Sequence, residues 1–221
     1  MRGKRFRPRD RSRKGGRTRT VSRPDRDRAP RILAGRFRGR ALLVPEGRVT
    51  RPVRALVRRS LFDSLQAEIA GSRWLDLFAG SGSFGIEALS RDAAHATFVE
   101  AGREGIRCLR ENLARLGLAP PQALLVTERL PDLLLRPPPD GAGSHDFVAL
   151  DPPFPLMRDG NLRAQLVAAL AAAGGLGWFA PGCELLWEEP VEVADPVPAG
   201  FVLESRRDHG VSRVRRMRFS G

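Results

Sequence analysis

The rhythm of polar and apolar positions changes twice along the chain. Residues 1–30 (MRGKRFRPRDRSRKGGRTRTVSRPDRDRAP) have almost no apolar content and no period. Such a segment cannot bury enough surface to offset its ordering entropy, so a disordered tail is expected. From Arg31 the stretch RILAGRFRGRALLVP alternates, with Arg36, Arg38 and Arg40 along one face, and predicts two short strands around a glycine-bearing turn. TRPVRALVRRSLFDSLQAEIA then places Val53, Leu56, Val57, Leu61 and Leu65 at helical spacing, in a helix opened by Thr50 or Pro52. The opposite face of that helix carries Arg54, Arg58 and Arg59.

From residue 73 the pattern alternates between short apolar runs and amphipathic stretches. WLDLF, ATFVE, ALLVT, DFVALD and ELLWEE read as strands; GSFGIEALSR, REGIRCLRENLARLG and residues 160–173 read as helices. FVLESRRDHGVSRVRRMRF closes the chain as two strands turning at His209–Gly210. Alternating strands and helices imply an α/β fold, a mostly parallel sheet covered on both faces and closed by an antiparallel hairpin. The expected division is a tail (1–30), a hairpin and helix (31–70), and an α/β domain (71–221).

Charge sharpens this division. The chain's formal charge is +13, and the first 30 residues hold thirteen Lys or Arg against three Asp, so the body is only mildly basic. A tail of this kind adds salt-sensitive, sequence-blind affinity for a polyanion, and RNA is the expected partner. Two cysteines, Cys108 and Cys183, suit a reducing compartment and match no metal spacing. The run at 164–181 is broken by Gln165 and glycines 174, 175 and 177, so no membrane span, no metal, and a soluble cytoplasmic protein are expected.

The chemistry concentrates where strands end. Asp76-Leu-Phe-Ala-Gly-Ser-Gly-Ser-Phe-Gly85 fits a GxGxxG turn at Gly80, Gly82 and Gly85, with Glu100 twenty positions after Gly80 at the end of the next strand. Glycines there let the chain turn sharply and let a ligand approach, so a valine at Gly82 is expected to block that ligand. An acid at Asp76, beside the turn, would repel a pyrophosphate and suit an ammonium group. S-adenosylmethionine carries an ammonium and a sulfonium, and no phosphate. Glu128, after the third strand, is placed to hold an adenine amino group. DPPF (Asp151 to Phe154) follows the fourth strand: a carboxylate, two prolines that fix φ and aim a carbonyl, and an aromatic face. Such a set can accept both hydrogens of an amino group and stack on its ring.

With RILAGRFRGRALLVP, RP followed by VRRSLFDSL, LDLFAGSGSFGIEALSR, FVE and LDPPF in order, the chain resembles class I S-adenosylmethionine-dependent methyltransferases. It is most similar to the RsmD-like bacterial family that methylates the exocyclic amino group (N2) of a guanine in small-subunit ribosomal RNA. The resemblance runs from about Arg31 to the C-terminus. It implies a Rossmann-like seven-stranded sheet, Asp76, Phe78, Gly80 and Gly82 around the methionine end of the cofactor, Glu100 on its ribose, and Asp151, Pro152, Pro153 and Phe154 around the target base. It also implies Arg36, Arg38, Arg40, Arg51, Arg54 and Arg58 facing RNA, a monomer, and a substrate that is naked ribosomal RNA or a partly assembled small subunit. The chain departs from the family at Val53, Arg54 and Ala55, where Thr and polar residues are usual, and at Arg59, where Glu is usual. A methyltransferase of DNA adenine or of a protein glutamine, a NAD(P)-linked oxidoreductase, and a noncatalytic RNA-binding protein stand as alternatives.

Overall fold

The structure, a computed structural model, describes residues 29–45, 52–193 and 196–221. The expected tail, Arg51 and the side chain of Arg54 lie outside the described residues. In chain order the elements are α1 (Pro52–Ser64), β1 (Arg73–Leu77), α2 (Ser83–Ser90), β2 (His95–Val99), α3 (Arg103–Arg115), β3 (Ala123–Val126), a short 3-10 turn (Asp132–Leu135), β4 (His145–Leu150), α4 (Phe154–Met157), α5 (Gly160–Gly175), β5 (Phe179–Pro190), β6 (Phe201–His209) and β7 (Ser212–Phe219). They form a seven-stranded sheet in the order β3-β2-β1-β4-β5-β7-β6. The first five strands in that order pair in parallel, and β7 runs antiparallel to both β5 and β6.

The strands read as unbroken apolar runs because both faces are covered. All of β2 is buried, as are four of the five residues of β1. On one face Trp74 stacks between Phe62 of α1 (centroids 5.1 Å) and Phe147 of β4 (4.7 Å), and α2 and α3 pack beside them. On the other face α4, α5 and the 3-10 turn cover Leu75, Leu77, Val148 and Leu150. The N-terminal segment has no separate core: Ile32, Leu42, Phe62, Leu65 and Ile69 share one cluster with Trp74, Ile86 and Phe98.

Two expectations for this segment are corrected. Residues 31–43 form a clip with one isolated bridge, Arg31 to Ala41, and no strand hairpin. The two arms meet through Ile32 N to the Arg40 carbonyl (3.0 Å), Gly39 N to the Ile32 carbonyl (2.9 Å) and Leu42 N to the Pro30 carbonyl (2.9 Å), and the donors between them turn to α2. Leu33 N and Ala34 N donate to the Glu87 carboxylate (2.7 and 3.1 Å), Arg36 N to the Ser90 carbonyl (2.8 Å), and Phe37 N to Ser90 Oγ (2.9 Å). Asn112 of α3 holds the far end, accepting from Leu43 N (2.8 Å) and donating to the Leu43 carbonyl (3.0 Å). In α1 the buried stripe is rotated from the expected one: Leu56 is 63% exposed, whereas Arg58 is 5% exposed. Arg58 shares a face with Phe62 and Leu65, and two carboxylates of the neighbouring elements are within electrostatic reach of its charge.

Candidate active site

Every chemistry-bearing strand end converges at the carboxyl edge of the sheet, where open α/β folds gather ligands. The parallel register puts Leu77 opposite Val99 and Leu150, so the residues after them, Phe78, Glu100 and Asp151, leave the sheet side by side. The turn after β1 is tight: Phe78, Gly80 and Gly82 all take positive φ (61°, 55° and 80°). For Phe78 this is a strained conformation. Phe78 lines a small cleft with Leu130, Pro131, Pro152, Leu156 and Met157.

The glycines divide the work differently from the expectation. A Cβ at Gly80 would meet only the Phe78 carbonyl, at 3.8 Å, so its outer side is open. A Cβ at Gly82 would lie 2.5 Å from Leu109 Cδ1, 3.0 Å from Ile86 Cδ1 and 3.2 Å from Phe98 Cε1. Gly82 therefore faces the packing between α2, α3 and β2, and a valine there collides with the core and not with a ligand. Gly85 is equally tight, 2.4 Å from Phe98 Cε1. It lets α2 lie directly on β2.

Three carboxylates surround this turn. Asp76, 2% exposed, accepts from Gly85 N (2.9 Å) and so ties β1 to the first turn of α2. Glu100 is half-buried and accepts from Gly80 N (2.8 Å) and Gly102 N (2.6 Å), which fixes its orientation along the turn. A side chain at Gly105 would press on Glu100 (2.7 Å to Cδ), so Gly105 is a positioning residue that the sequence reading missed. Burial pushes the Asp76 carboxyl up to about 8, the Gly85 N–H opposes that rise, and the charges of Asp151 and Glu100 add to it. At neutral pH the buried acid holds a proton chiefly because burial penalises its charge.

DPPF lies as expected. Pro152 is buried, Asp151, Pro153 and Phe154 are half-exposed, and Pro153 caps the short α4. The Pro153 carbonyl accepts from Leu156 N (2.8 Å) and Met157 N (3.3 Å), so the Pro152 carbonyl is the one suited to a substrate. Glu128 stands exposed beyond β3, paired with Arg136. Arg36, Arg38 and Arg40 are exposed on the clip, with the Arg36 guanidinium 4.7 Å from the Phe37 ring centroid. Arg58 is the correction among the RNA-facing candidates: it is buried and donates from Nη2 to the Arg31 carbonyl (2.7 Å). Glu87, Ser90 and Asn112, which seat the clip, had not been singled out. A lone acid in the apolar helix GIEAL was the available signal for Glu87. Among the described residues no three or more His, Cys, Asp or Glu are arranged to hold a metal ion, and no helix is long and apolar enough to cross a membrane.

The donor set fits a cationic cofactor without phosphate: an open turn at Gly80, an oriented Glu100 with lone pairs left for hydroxyls, and a buried acid ready to ionise beside a positive group. Comparison with known proteins points the same way. The family model described as "Conserved hypothetical protein 95" matches residues 30–217. The Ribosomal RNA small subunit methyltransferase D of Haemophilus influenzae is 34% identical over 185 residues, covering 84% of this chain and 91% of that protein. Its Escherichia coli namesake is 35% identical over 181 residues, 81% of this chain and 85% of that protein. A solved Escherichia coli structure, described as that of a candidate methyltransferase, superposes with a TM-score of 0.72 at 34% identity, covering 87% of this chain and 99% of the other. The chain thus belongs to the RsmD family of methyltransferases with a Rossmann-like fold.

Proposed function

We propose that this protein transfers a methyl group from S-adenosylmethionine to the N2 amino group of a guanine in small-subunit ribosomal RNA. The observation that carries the proposal is the convergence of Asp76, Glu100 and the DPPF segment at one edge of the sheet. A negative, phosphate-averse turn favours this cofactor over a pyrophosphate-bearing one, so the oxidoreductase reading loses its support. When bound, the cofactor supplies an electrophilic methyl on a sulfonium.

The chain's own residues do the rest. A guanine amino group is a poor nucleophile because its lone pair is delocalised into the ring. Asp151 accepts one of its hydrogens and the Pro152 carbonyl the other, which turns the nitrogen lone pair out of the ring plane and toward the methyl. Phe154 stacks on the base, worth about 1–3 kcal/mol by analogy with single-strand binders. The Asp151 charge stabilises the positive charge that develops on nitrogen during transfer. Glu100 holds the ribose hydroxyls, Glu128 the adenine amino group in place of Arg136, and the exposed Arg36, Arg38 and Arg40 hold RNA phosphates. Arg51, Arg54 and the basic residues of 1–30 add positive charge for RNA. The target guanine is unpaired or flipped, since a stacked base cannot enter such a cleft. A monomer acts on RNA or on a partly assembled small subunit, in the cytoplasm.

The test is direct. Small-subunit RNA and subunits from a strain lacking this gene are incubated with the protein and S-adenosylmethionine, and modified nucleotides are mapped. One N2-methylguanine is expected; methylation of adenine only, or none with either substrate, overturns the proposal.

The titration of Asp76 adds a second expected result. Its carboxyl is raised from about 3.8 to about 8, so the folded apo-protein binds a proton the unfolded chain releases. Apo stability from this group therefore falls as pH rises from about 4 to about 8 and is level above. A bound cation favours the ionised form, so binding S-adenosylmethionine expels the proton. Affinity should rise between pH 6 and 7.5, by at most about tenfold per pH unit. Calorimetry in two buffers of different ionisation enthalpy should show proton release. Asp76→Asn should flatten the profile; an equally steep profile in that variant removes Asp76 from the site.

A further inference from the structure

The β6–β7 hairpin has no part in the site as described, yet its turn stands on the same edge of the sheet. The pairing fixes its height. Leu150 lies opposite Trp187, Trp187 opposite Arg215, and Arg215 opposite Arg206. One step further toward the carboxyl edge, Asp151, Glu188, Val214 and Arg207 stand level. Above them the hairpin continues through Asp208 and His209 and turns at Gly210 and Val211. In the sheet β6 is three strands from β4, about 14 Å at the usual strand spacing. The residues read as cofactor holders, Phe78, Gly80, Glu100 and Glu128, follow β1, β2 and β3, on one side of DPPF. The ends of β5, β7 and β6 lie on its other side, open to the nucleotides that flank a base held by DPPF. The clip's Arg36 and Phe37 amides are held by Ser90, at the far end of α2. That is about 12 Å along the helix from the glycine turn.

We infer that this turn is a second RNA contact beside the target base: Arg207 holds a phosphate of the strand that carries the guanine, and His209 and Val211 pack against a neighbouring nucleotide. The inference rests on the methyltransferase reading and deepens it. The turn is pinned in place. Asp208 accepts from Arg213 Nε (2.9 Å) and Nη2 (3.3 Å), so the acid of the turn is matched by its own arginine. Arg213 Nη1 donates to the Val193 carbonyl (3.1 Å), and Val191 N to the Val211 carbonyl (3.1 Å), which ties the turn to the end of β5. Arg207 is exposed and, among the described residues, makes no ion pair; Val211 is exposed and His209 half-exposed. Arg207 pairs with Val214 and His209 with Ser212, on the face of the sheet where Leu186 packs with Phe62 of α1. Arg206, opposite Arg215, lies on the other face. Charge on an edge strand can also serve only to discourage pairing with other chains. That task has no preference for one face, and Arg206 would perform it as well as Arg207.

The test locates the RNA and weighs the charge separately. Both native cysteines are buried, so Val211→Cys can be labelled selectively with a photoactivatable aryl azide. The labelled protein, with S-adenosylhomocysteine, is irradiated on small-subunit RNA or on the small subunit, whichever the wild-type chain methylates. Primer extension then maps the crosslinks. They should fall on nucleotides adjoining the methylated guanine in the folded RNA; crosslinks found only elsewhere overturn the inference. Arg207→Ala should weaken binding of the same RNA or subunit about fivefold or more, and should lower the slope of log affinity against log salt by about 0.7. Its kcat at saturating substrate and its affinity for S-adenosylmethionine should stay within about twofold, since the residue touches neither reactant at the reacting atoms. Arg206→Ala should change affinity for RNA less than about twofold. An equal loss in both variants, or no loss in Arg207→Ala, overturns the assignment of this face. If the wild-type chain methylates its guanine while these readouts fail, the second contact alone falls. If it methylates neither RNA nor subunit, the proposed function falls and takes this inference with it.

Discussion

Asp151→Ala is expected to reduce methyl transfer at least about a hundredfold, the scale for removing one preorganised electrostatic partner of a transition state. Cofactor affinity should stay within a few-fold, because the turn at Gly80 and the carboxylate of Glu100 are untouched. The loss should appear in kcat, since the task proposed for the carboxylate is to orient the amino group and to stabilise charge that appears only during transfer. Asp151→Asn should fall between the two, as its amide oxygen still accepts one hydrogen but carries no charge. Single-turnover kinetics with saturating cofactor and RNA would measure this. An alanine variant that methylates at the normal rate would remove Asp151 from the chemistry. The same substitution should ease the ionisation of Asp76, whose proton Asp151 helps to retain.

The largest effect on stability is expected from Gly82→Val. A β-branched residue at φ 80° pays roughly 1–2 kcal/mol for the left-handed backbone. Forcing the three side-chain carbons against Leu109, Ile86 and Phe98 adds about 1–3 kcal/mol. Together this is a large share of the 5–15 kcal/mol that typically holds a domain. Urea unfolding should show a clear fall in midpoint with an unchanged slope. Gly80→Ala provides the contrast: it meets little but the Phe78 carbonyl, so it should cost about 1 kcal/mol of stability and act mainly on cofactor binding. Normal stability in Gly82→Val together with lost binding would reverse these assignments.

These two residues show how far the sequence could be read. Asp151 was legible because its position depends only on where a strand stops, and β4 is an apolar run with no competing interpretation. The same holds for Asp76 and Glu100: parallel register brings strand ends together whatever surrounds them. Which way a glycine's missing side chain would point depends on the helix laid across it, and no local pattern records that. Gly82 looks like a ligand-facing glycine and is a packing glycine. Arg58 failed for a related reason. Read by charge it belongs on the solvent face of α1, with Leu56 inside. Glu87 and Asp76 reverse the choice, and they lie on other elements, 29 and 18 residues away along the chain. The clip was read as a hairpin from its alternation, yet it pairs as strands at one bridge only, and its amides at Leu33, Ala34 and Phe37 are satisfied by side chains of α2. Long-range polar partners outweighed local pattern at each of these places.

The way the clip is seated also orders the protein's assembly. Its amides at Leu33 and Ala34 find their acceptor 54 and 53 residues further on, in Glu87, and Leu43 waits for Asn112, 69 residues away. Closing loops of this length is slow compared with forming a helix or a neighbouring strand pair. As the chain emerges during synthesis, residues 31–43 come early but cannot be set until α2 and α3 exist to receive them. The surface proposed to meet RNA is thus made early and set only once α3 has followed, so a chain that stops short of α3 offers its arginines without a fixed shape to present them.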